Sequence, residues 1–456
     1  MTGIVLTADI GTSSLKAAYI DLNGKLLAFC RMAYKPDLNG NVCAGAWERA
    51  FADTLENLHE QAPGCLVDAI CISGNGPTLT PVTAEGDSLP PLYWHDKRTE
   101  KPQVSQVYVS SSFFLPHAAW FKKNASPLYE KTQFFISSHE WLAFRLGAEP
   151  KTVLPSAAYK PYYWDEQQCD LFGLDREKFP PYIKMGEVMG QVSKDAASRF
   201  CSFSGNSLKS GTPIIAGGPD FITALIGTGT GKPGDVCDRA GSSEGINACA
   251  AAPLKGEGFR LLPHAVEGLW NIGIVIESSG RLFDRYRTQA GLENISYEEL
   301  LKELIPSPGD TGLFQNLDFS PLAASHPSLD RGRAVLCAIG FSVRLALGTL
   351  AELGYDVSVM KVSGGQSKNR RWNQLKADIT GVSLMVPEIS DGELAGNAVL
   401  AALAMEGSRE TDALKAATNR MIRFGEVYEP QKNVRDFWEN RYGFFSLNNN
   451  AQHLGG

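Results

Sequence analysis

Residues 4–21, IVLTADIGTSSLKAAYID, carry the pattern that decides the fold. Residues 4–9 are apolar and β-branched, which is typical of a buried strand, and residues 15–21 alternate between apolar and polar positions as a second strand does. The small residues at 11–14 predict a tight turn between these strands. The stretch therefore predicts a β-hairpin, with the carboxylate of Asp9 at the end of its first strand.

The residues that follow extend this hairpin into a sheet. Asn23-Gly24 predicts a second hairpin turn, and residues 25–32 a third strand. An apolar face at helical spacing predicts a helix over residues 46–60. Residues 66–73 predict a buried strand that ends at Gly74-Asn75-Gly76. The order strand-strand-strand-helix-strand indicates an α/β fold.

The second half of the chain follows the same plan of strands that run into glycine turns and then helices. Its predicted elements are strands at 214–216, 235–250 and 359–363 and helices from 220, at 334–352, at 372–380 and at 394–405. Turn-forming residues concentrate at 231–238. We therefore predict two domains, residues 1–235 and 236–456, which suits a chain of 456 residues.

The composition excludes several classes of function. A net charge of −7 without long basic runs argues against a nucleic-acid partner. No run approaches 18 apolar residues and the first residues lack the features of a signal peptide, so we expect no membrane partner. The nine cysteines form no CxxC pair, which predicts free thiols and a cytoplasmic location. The assembly state stays open, a homodimer included.

The turn after Asp9 has the chemistry of a phosphate site. Backbone N–H groups and hydroxyls at 11–14 can cradle a phosphate, and Lys16 adds a positive charge. Asp9 itself can hold a hydrated Mg²⁺. An ordinary hairpin turn explains the same residues, and for one short motif it is the favoured interpretation.

Two glycine turns in the second half offer similar chemistry. Residues 241–245, GSSEG, repeat the small-hydroxyl turn. In residues 364–369, GGQSKN, the glycines let a flat ligand approach the backbone, and the following helix offers N–H donors. A hairpin turn and a strand-to-helix turn are the structural alternatives, although two glycines and Asn369 favour a ligand at the second.

Two carboxylates of the first half are candidates for contact with a hydroxyl compound. Asp220 begins an apolar helix after a glycine turn, where it can cap the helix or accept a proton from an alcohol. Asp96 can hydrogen-bond a polyol hydroxyl while Trp94 packs on the carbon face. A solvated charged turn is the alternative there. His95 stands alone and predicts no metal site.

Taken together and in this order, the motifs resemble the FGGY family of carbohydrate kinases, within the actin-like, ribonuclease-H-like ATPase superfamily. The resemblance runs from Ile4 to about Gly407, and its most specific stretches include ADIGTSSLKAAYID, LYWHDKRT, GGPDFITALIG and SGGQSKNRRWNQLKADITGV. It implies two ribonuclease-H-like α/β domains with an interdomain cleft. It also implies transfer of the γ-phosphoryl group of ATP, with Mg²⁺, to a hydroxyl of a small sugar or polyol.

The resemblance also implies roles for the matching residues. It makes Asp9 the group that organises Mg²⁺ and Asp220 the catalytic base. Against the ATP it places Gly11, Thr12, Ser13, Lys16, Gly241, Ser242, Ser243, Gly364, Gly365 and Asn369. Around the sugar it places Asn75, Trp94, Asp96 and Asp220.

Three positions depart from the pattern of xylulose kinases. Gly76-Pro77 stand where those kinases have Met-His, and Phe221 stands where they have Asn. These departures predict an acceptor other than D-xylulose. Two further functions stay open: an actin-like ATP-binding assembly or chaperone module, and a catalytically weak regulatory homologue that binds sugar.

Overall fold

The computed structural model describes residues 3–35, 42–94, 96, 98, 111–200, 208–277, 279–307, 309–315, 317, 329–407 and 411–453. The chain divides into two compact units. Unit 1 comprises Met1–Gly229, Pro263–Gly268 and Gly392–Ile422. Unit 2 comprises Thr230–Leu262, Leu269–Asp391 and Arg423–Gly456.

Strands and helices alternate along both units. The strands are β1 Ile4–Ile10, β2 Ser14–Asp21, β3 Leu26–Ala33, β4 Ala69–Gly74, β5 Thr80–Thr83, β6 Thr132–Ile136, β7 Thr152–Leu154, β8 Tyr182–Lys184, β9 Val188–Gln191, β10 Pro213–Pro219, β11 Val236–Ala240, β12 Glu244–Ala250, β13 Arg260–Pro263, β14 Trp270–Ile276, β15 Val359–Ser363, β16 Ser383–Pro387 and β17 Phe424–Tyr428. The helices are α1 Ala44–Gln61, α2 Leu115–Asn124, α3 Ser126–Lys131, α4 Ser138–Leu146, α5 Glu166–Leu171, α6 Lys194–Phe200, α7 Asp220–Gly227, α8 Gly280–Gln289, α9 Tyr297–Leu304, α10 Leu329–Glu352, α11 Arg370–Thr380, α12 Gly392–Glu406, α13 Thr411–Met421 and α14 Arg435–His453.

The main sheet of unit 1 has the strand order β3-β2-β1-β4-β10-β9. The predicted hairpins are confirmed, since β1 pairs with β2 and β2 with β3, both antiparallel. Strand β4 pairs parallel with both β1 and β10. The carboxyl ends of β1, β4 and β10 therefore meet at one edge of the sheet, where loops commonly carry functional residues.

Unit 2 repeats this arrangement around a sheet ordered β13-β14-β12-β11-β15-β16-β17. Strand β11 is antiparallel to β12 and parallel to β15, so the β11–β12 turn and the end of β15 share an edge. Helix α10 is long and apolar enough to cross a membrane by length and composition. However, Val335, Phe341 and Val343 on this helix are buried in the apolar cores of unit 2, as in a core helix of a folded domain.

The observed division differs from the predicted boundary. The first segment of unit 1 ends at Gly229 rather than at 235, and α12, expected in the second domain, belongs to unit 1. Glycines explain this packing: a Cβ at Gly227 would lie 1.8 Å from Gly392 O, and one at Gly396 would lie 2.0 Å from Thr223 O. Helices α7 and α12 thus approach closely only because these positions lack side chains.

Candidate active site

The carboxyl ends of three adjacent strands bring the predicted residues of unit 1 together. In the sheet, Asp9 is opposite Ser73, and Gly74 is opposite both Ile10 and Pro219. The turn at Gly11 follows β1, Asn75 follows β4, and Asp220 follows β10. We call the turns after these three strands the unit 1 edge.

Asp9 is a buried carboxyl in anionic surroundings. It is 3% exposed, and Ser73 Oγ donates to its Oδ1 at 2.8 Å. The pKa of Asp9 is raised to about 7, first by burial and then by the negative charges of Glu393 and Asp220, while Lys16 and the Ser73 hydrogen bond act in the opposite direction. A cation beside Asp9 would therefore be favoured.

Lys16 lies where the sequence predicted a positive charge. It is opposite Asp9 in the β1–β2 pairing, and its Nζ is 3.6 Å from Glu393 Oε2. Thr12 and Ser13 are exposed at the turn, and Gly11 N donates to Ser14 O at 3.0 Å to close it. The turn is thus an ordinary β-hairpin turn, and it also presents exposed small residues beside Lys16.

Two residues of α12 support the unit 1 edge and were missed by the sequence interpretation. Glu393 faces Lys16, and Asn397 Nδ2 donates to Ala8 O at 2.9 Å and to Ser73 Oγ at 3.0 Å. Glu393 and Asn397 interrupt the otherwise apolar sequence GELAGNAVLAALA. They are four residues apart, so they lie on the same face of the helix. Polar residues at this spacing in a buried helix are a signal that they meet polar partners.

Asp220 is the first residue of α7, and Pro219 occupies the N-cap position. The N-cap alternative is therefore wrong, although Phe221 N donates to Asp220 Oδ1 at 2.6 Å. Asp220 is half-buried and close enough to Asp9 to raise the pKa of that carboxyl. At Gly217, packing alone requires a glycine, since a Cβ there would lie 1.9 Å from Ile72 O.

The other candidate sugar contacts of unit 1 differ in exposure. Asn75 is 1% exposed, and its Oδ1 accepts a hydrogen bond from Ser138 Oγ at 3.1 Å. Trp94 is 43% exposed, and its Nε1 lies 3.5 Å from Thr12 Oγ1, which brings the indole to the turn after β1. Arg98 donates to Asp96 from Nε at 2.9 Å, and this bond holds the pKa of Asp96 below its usual value. His95 and Lys97 lie outside the described residues.

The candidate nucleotide residues of unit 2 lie on two neighbouring turns. Gly241 N donates to Ser243 O at 3.0 Å, with Ser242 exposed at the tip. Gly364 has φ +91°, and a Cβ there would lie 2.5 Å from Ala240 O, so this position requires glycine for two reasons. The close approach places the end of β15 beside the start of the 241–243 turn.

Gly365 and Asn369 complete the second turn of unit 2. Gly365 is exposed, and a Cβ there would meet nothing within 4 Å. Asn369 is the N-cap of α11, and its Oδ1 accepts a hydrogen bond from Trp372 N at 3.0 Å. The amide oxygen of Asn369 is therefore committed to the helix. A contact of Asn369 with the nucleotide stays a prediction.

No group of three or more His, Cys, Asp or Glu side chains within the described part of the chain is arranged to hold a metal ion. A fully protein-bound cation is thus not supported by these residues. Mg²⁺ is commonly held by one or two carboxylates together with water and substrate phosphates. Asp9, with its raised pKa and its neighbour Asp220, fits that second kind of site.

Comparison with known proteins gives consistent matches over the whole chain. The model of the N-terminal domain of the FGGY family of carbohydrate kinases matches residues 4–227, and that of the C-terminal domain matches residues 316–405. A xylulose kinase of Staphylococcus epidermidis is 22% identical over 97% of this chain and 95% of its own length. An autoinducer-2 kinase of Salmonella typhimurium is 22% identical over 96% of this chain and 94% of its own. The crystal structure of a ligand-bound xylulose kinase from Lactobacillus acidophilus has a TM-score of 0.79 at 17% identity and covers 99% of both chains.

Proposed function

The chain belongs to the FGGY family of carbohydrate kinases, and from that premise we propose that the unit 1 edge binds the acceptor and transfers its proton. The chain is an ATP-dependent phosphotransferase with an alcohol group as acceptor, and its two sheets have the actin-like ATPase fold that the sequence predicted. The acceptor we propose is a small sugar or polyol. The observation that supports this assignment is the convergence of Asp9, Asn75 and Asp220 on one edge.

Asp220 is the group we assign as general base. One of its carboxylate oxygens accepts the proton of the acceptor hydroxyl while the hydroxyl oxygen bonds to the γ-phosphorus. The bond from the γ-phosphorus to the β–γ bridging oxygen breaks, and ADP leaves with that electron pair. Phe221 N donates to Asp220 Oδ1, which orients the carboxylate without neutralising it. Asn75, Trp94 and Asp96 are the proposed contacts that hold the acceptor.

Asp9 is the residue we assign to Mg²⁺. Asp9 is buried close to the carboxylates of Glu393 and Asp220, with Lys16 as the opposing positive charge, and a divalent cation would relieve the repulsion among these carboxylates. When bound, the cation neutralises charge on the phosphates of ATP. Ser73 holds the Asp9 carboxyl in place, and Lys16 supplies a donor for a phosphate oxygen.

Unit 2 contributes the remaining nucleotide contacts in this proposal. The exposed Ser242 and its turn offer backbone N–H groups and hydroxyls to phosphate. Gly364 and Gly365 leave space for the flat faces of the adenosine group. A cytoplasmic location is part of the proposal, and it is supported by the free thiol state of the eight cysteines among the described residues.

The test is an assay of ADP release from ATP and Mg²⁺ with a panel of polyols, ketoses and sugar acids. We expect ADP release to depend on one class of acceptor. Sugar binding without acceptor-dependent ADP release would favour the regulatory homologue instead. ATP-driven assembly, measured by light scattering, with no acceptor dependence would favour the assembly module and contradict the kinase proposal.

A further inference from the structure

A continuous chain of hydrogen-bonded side chains, buried except for the half-buried Gln366, leads to the 241–243 turn of unit 2. Trp372 Nε1 donates to Gln366 Oε1 at 3.0 Å, and Gln366 Nε2 donates to Ser279 Oγ at 2.8 Å. Ser279 Oγ in turn donates to Glu244 Oε2 at 2.6 Å. Lys376 Nζ then donates to the other oxygen of Glu244. None of these five residues is among the nucleotide contacts that the sequence predicted.

The inner end of this chain is a buried ion cluster. Lys376 is 0% exposed and donates to Glu244 and to Asp238 Oδ2, the latter at 2.8 Å. Burial and Glu244 raise the pKa of Asp238 well above its usual value. Burial also opposes ionisation of Glu244, but the charge of Lys376 and the hydrogen bonds from Asp238, Lys376 and Ser279 together outweigh it and lower the pKa of Glu244. The ionised pair is therefore Lys376 and Glu244, and Glu244 is the residue that directly follows the turn. A buried pair of this kind loses much stability if either partner is removed, so it fixes the end of the turn firmly.

The outer end of the chain holds the turn's carbonyl groups. Gly241 O accepts hydrogen bonds from Gln366 Nε2 at 2.8 Å and from Gly280 N at 3.2 Å. Ser242 O accepts one from Arg281 N at 2.9 Å. Carbonyl oxygens repel phosphate oxygens, so a turn that binds phosphate must keep its carbonyls engaged elsewhere. Gln366 is the side chain that does this from the neighbouring turn.

We propose that Gln366 is a positioning residue that locks the 241–243 turn in the conformation that binds nucleotide phosphate. It acts through Gly241 O and Ser279, and the Lys376–Glu244 pair fixes the far end of the same turn. The proposal rests on the nucleotide role given above to unit 2. It assigns to Gln366 a contribution to phosphate binding and none to adenosine binding.

The test compares the affinities of the Gln366→Met variant for ADP and for adenosine, measured by calorimetry with Mg²⁺. Methionine keeps the length of the side chain but removes both hydrogen-bonding groups. We expect ADP affinity to fall about tenfold, because the hydrogen bonds of Gln366 Nε2 to Gly241 O and Ser279 Oγ no longer hold the turn, with adenosine affinity unchanged. The KM for ATP should rise by a similar factor, while the KM for the acceptor stays the same.

Gln374→Met is the matched control. Gln374 is also half-buried, on α11, and its Nε2 also donates two hydrogen bonds, to Asp378 Oδ1 at 3.0 Å and to Glu429 O at 2.8 Å. It should change neither affinity. Ser279→Ala is a second variant that breaks the same chain, and it should lower ADP affinity alone.

Three results would overturn the inference. Equal losses of ADP and adenosine affinity in Gln366→Met would make Gln366 a contact of the adenosine. If Gln366→Met bound ADP as tightly as Gln374→Met does, Gln366 would have no positioning role. If the unmodified protein binds neither ligand, the nucleotide role of unit 2 fails, and this inference fails with it.

Discussion

Asn397 Nδ2 lies 3.0 Å from Ser73 Oγ and donates a hydrogen bond to it, although 324 residues separate the two along the chain. Ser73 in turn donates to Asp9, and the same Asn397 amide group donates to Ala8 O. Helix α12 therefore fixes the end of β1 that carries the proposed Mg²⁺ residue. These hydrogen bonds are buried, so an acceptor that lost its donor would stay desolvated with no compensating hydrogen bond, at the full cost in stability.

We expect Asn397→Leu to lower the free energy of unfolding by roughly 3 kcal/mol, because Ala8 O and Ser73 lose a buried donor. Urea unfolding measures this change. Asn57→Leu is the control, because Asn57 accepts a hydrogen bond from Gln61 on α1 in an exposed setting. It should cost less than about 1 kcal/mol. An equal decrease in the free energy of unfolding in the two variants would show that the hydrogen bonds of Asn397 do not specifically stabilise the unit 1 edge.

The elements of both units could be predicted from the sequence because local patterns set them. The hairpin at residues 4–21, helix α1 and the strand before Gly364 follow from alternation, helical spacing and turn residues. The place of α12 in unit 1 could not be predicted, since it depends on the close approach of Gly227 and Gly396 to a distant helix. Sequence order alone favoured the second half for that helix.

In the candidate site, too, some features could be predicted from the sequence and others could not. Asp9, the turn after it and Asp220 stand at strand ends, so strand order alone predicts that they share an edge. Gln366 and Lys376 acquire their partners only through tertiary packing, since Gly241 lies 125 residues from Gln366 and Asp238 lies 138 residues from Lys376 along the chain. A lysine in a helix is most often exposed to solvent, so the sequence around Lys376 gives no indication that this residue pairs with a buried carboxylate.

The second prediction concerns Asp220. We expect Asp220→Asn to bind ATP normally and to lose about 10²–10⁴-fold in kcat, because an amide cannot accept the proton of the acceptor. Steady-state kinetics with the best acceptor and calorimetry with ATP measure the two effects.

The control for Asp220 is another aspartate at the start of a helix. Asp165 is the N-cap of α5, and its Oδ1 accepts a hydrogen bond from Gln168 N at 2.7 Å. Asp165→Asn should leave kcat unchanged. If Asp220→Asn turns over as fast as Asp165→Asn, Asp220 serves only the start of α7, and the general base must be sought elsewhere.

The third prediction is a pH dependence of stability at Glu140. Burial raises the pKa of Glu140 from 4.5 to about 7, although Ser137 N and Val153 N both donate to its carboxylate at 2.7 Å. Because the pKa of Glu140 is higher in the folded state than in the unfolded state, the protonated carboxyl stabilises the folded protein. This contribution to the free energy of unfolding is complete below about pH 4.5 and is lost as the pH rises through 7. Glu140→Gln does not titrate. Its stability relative to the unmodified protein should therefore increase by about 3 kcal/mol between pH 4.5 and pH 8.

Urea unfolding at several pH values tests this at Glu140, and a second capping-box glutamate serves as the control. Glu299 has the same position on α9, but it is exposed, and hydrogen bonds from Ser296 lower its pKa. The stabilisation from Glu299 is present at high pH and is lost as the pH falls. Glu299→Gln should therefore lose relative stability as the pH rises, the opposite of Glu140→Gln. A pH-independent difference at Glu140 would contradict the prediction.

The fourth prediction is that D-xylulose is not the best acceptor. Phe221 is half-buried directly after the proposed base, and Gly76 lies so close to Pro219 that a Cβ would be 3.3 Å from Pro219 Cβ. These positions offer an apolar wall and no side-chain donors. Sites that bind hydroxyls through paired polar groups can discriminate by 10⁴–10⁵. We therefore expect kcat/KM to favour an acceptor with a deoxy or methyl carbon over D-xylulose among pentuloses, hexuloses, tetritols and aldonates.

Phe221→Asn tests the physical reason for this preference. An asparagine there restores a side chain that can both donate and accept hydrogen bonds, so kcat/KM for D-xylulose should rise relative to that for the deoxy acceptor. Phe172→Asn is a control on a partly exposed phenylalanine at the end of α5, and it should not alter the ratio. If D-xylulose has the highest kcat/KM in the unmodified protein, then the positions at 76, 77 and 221 do not set the acceptor, and other side chains at the unit 1 edge must hold its hydroxyls.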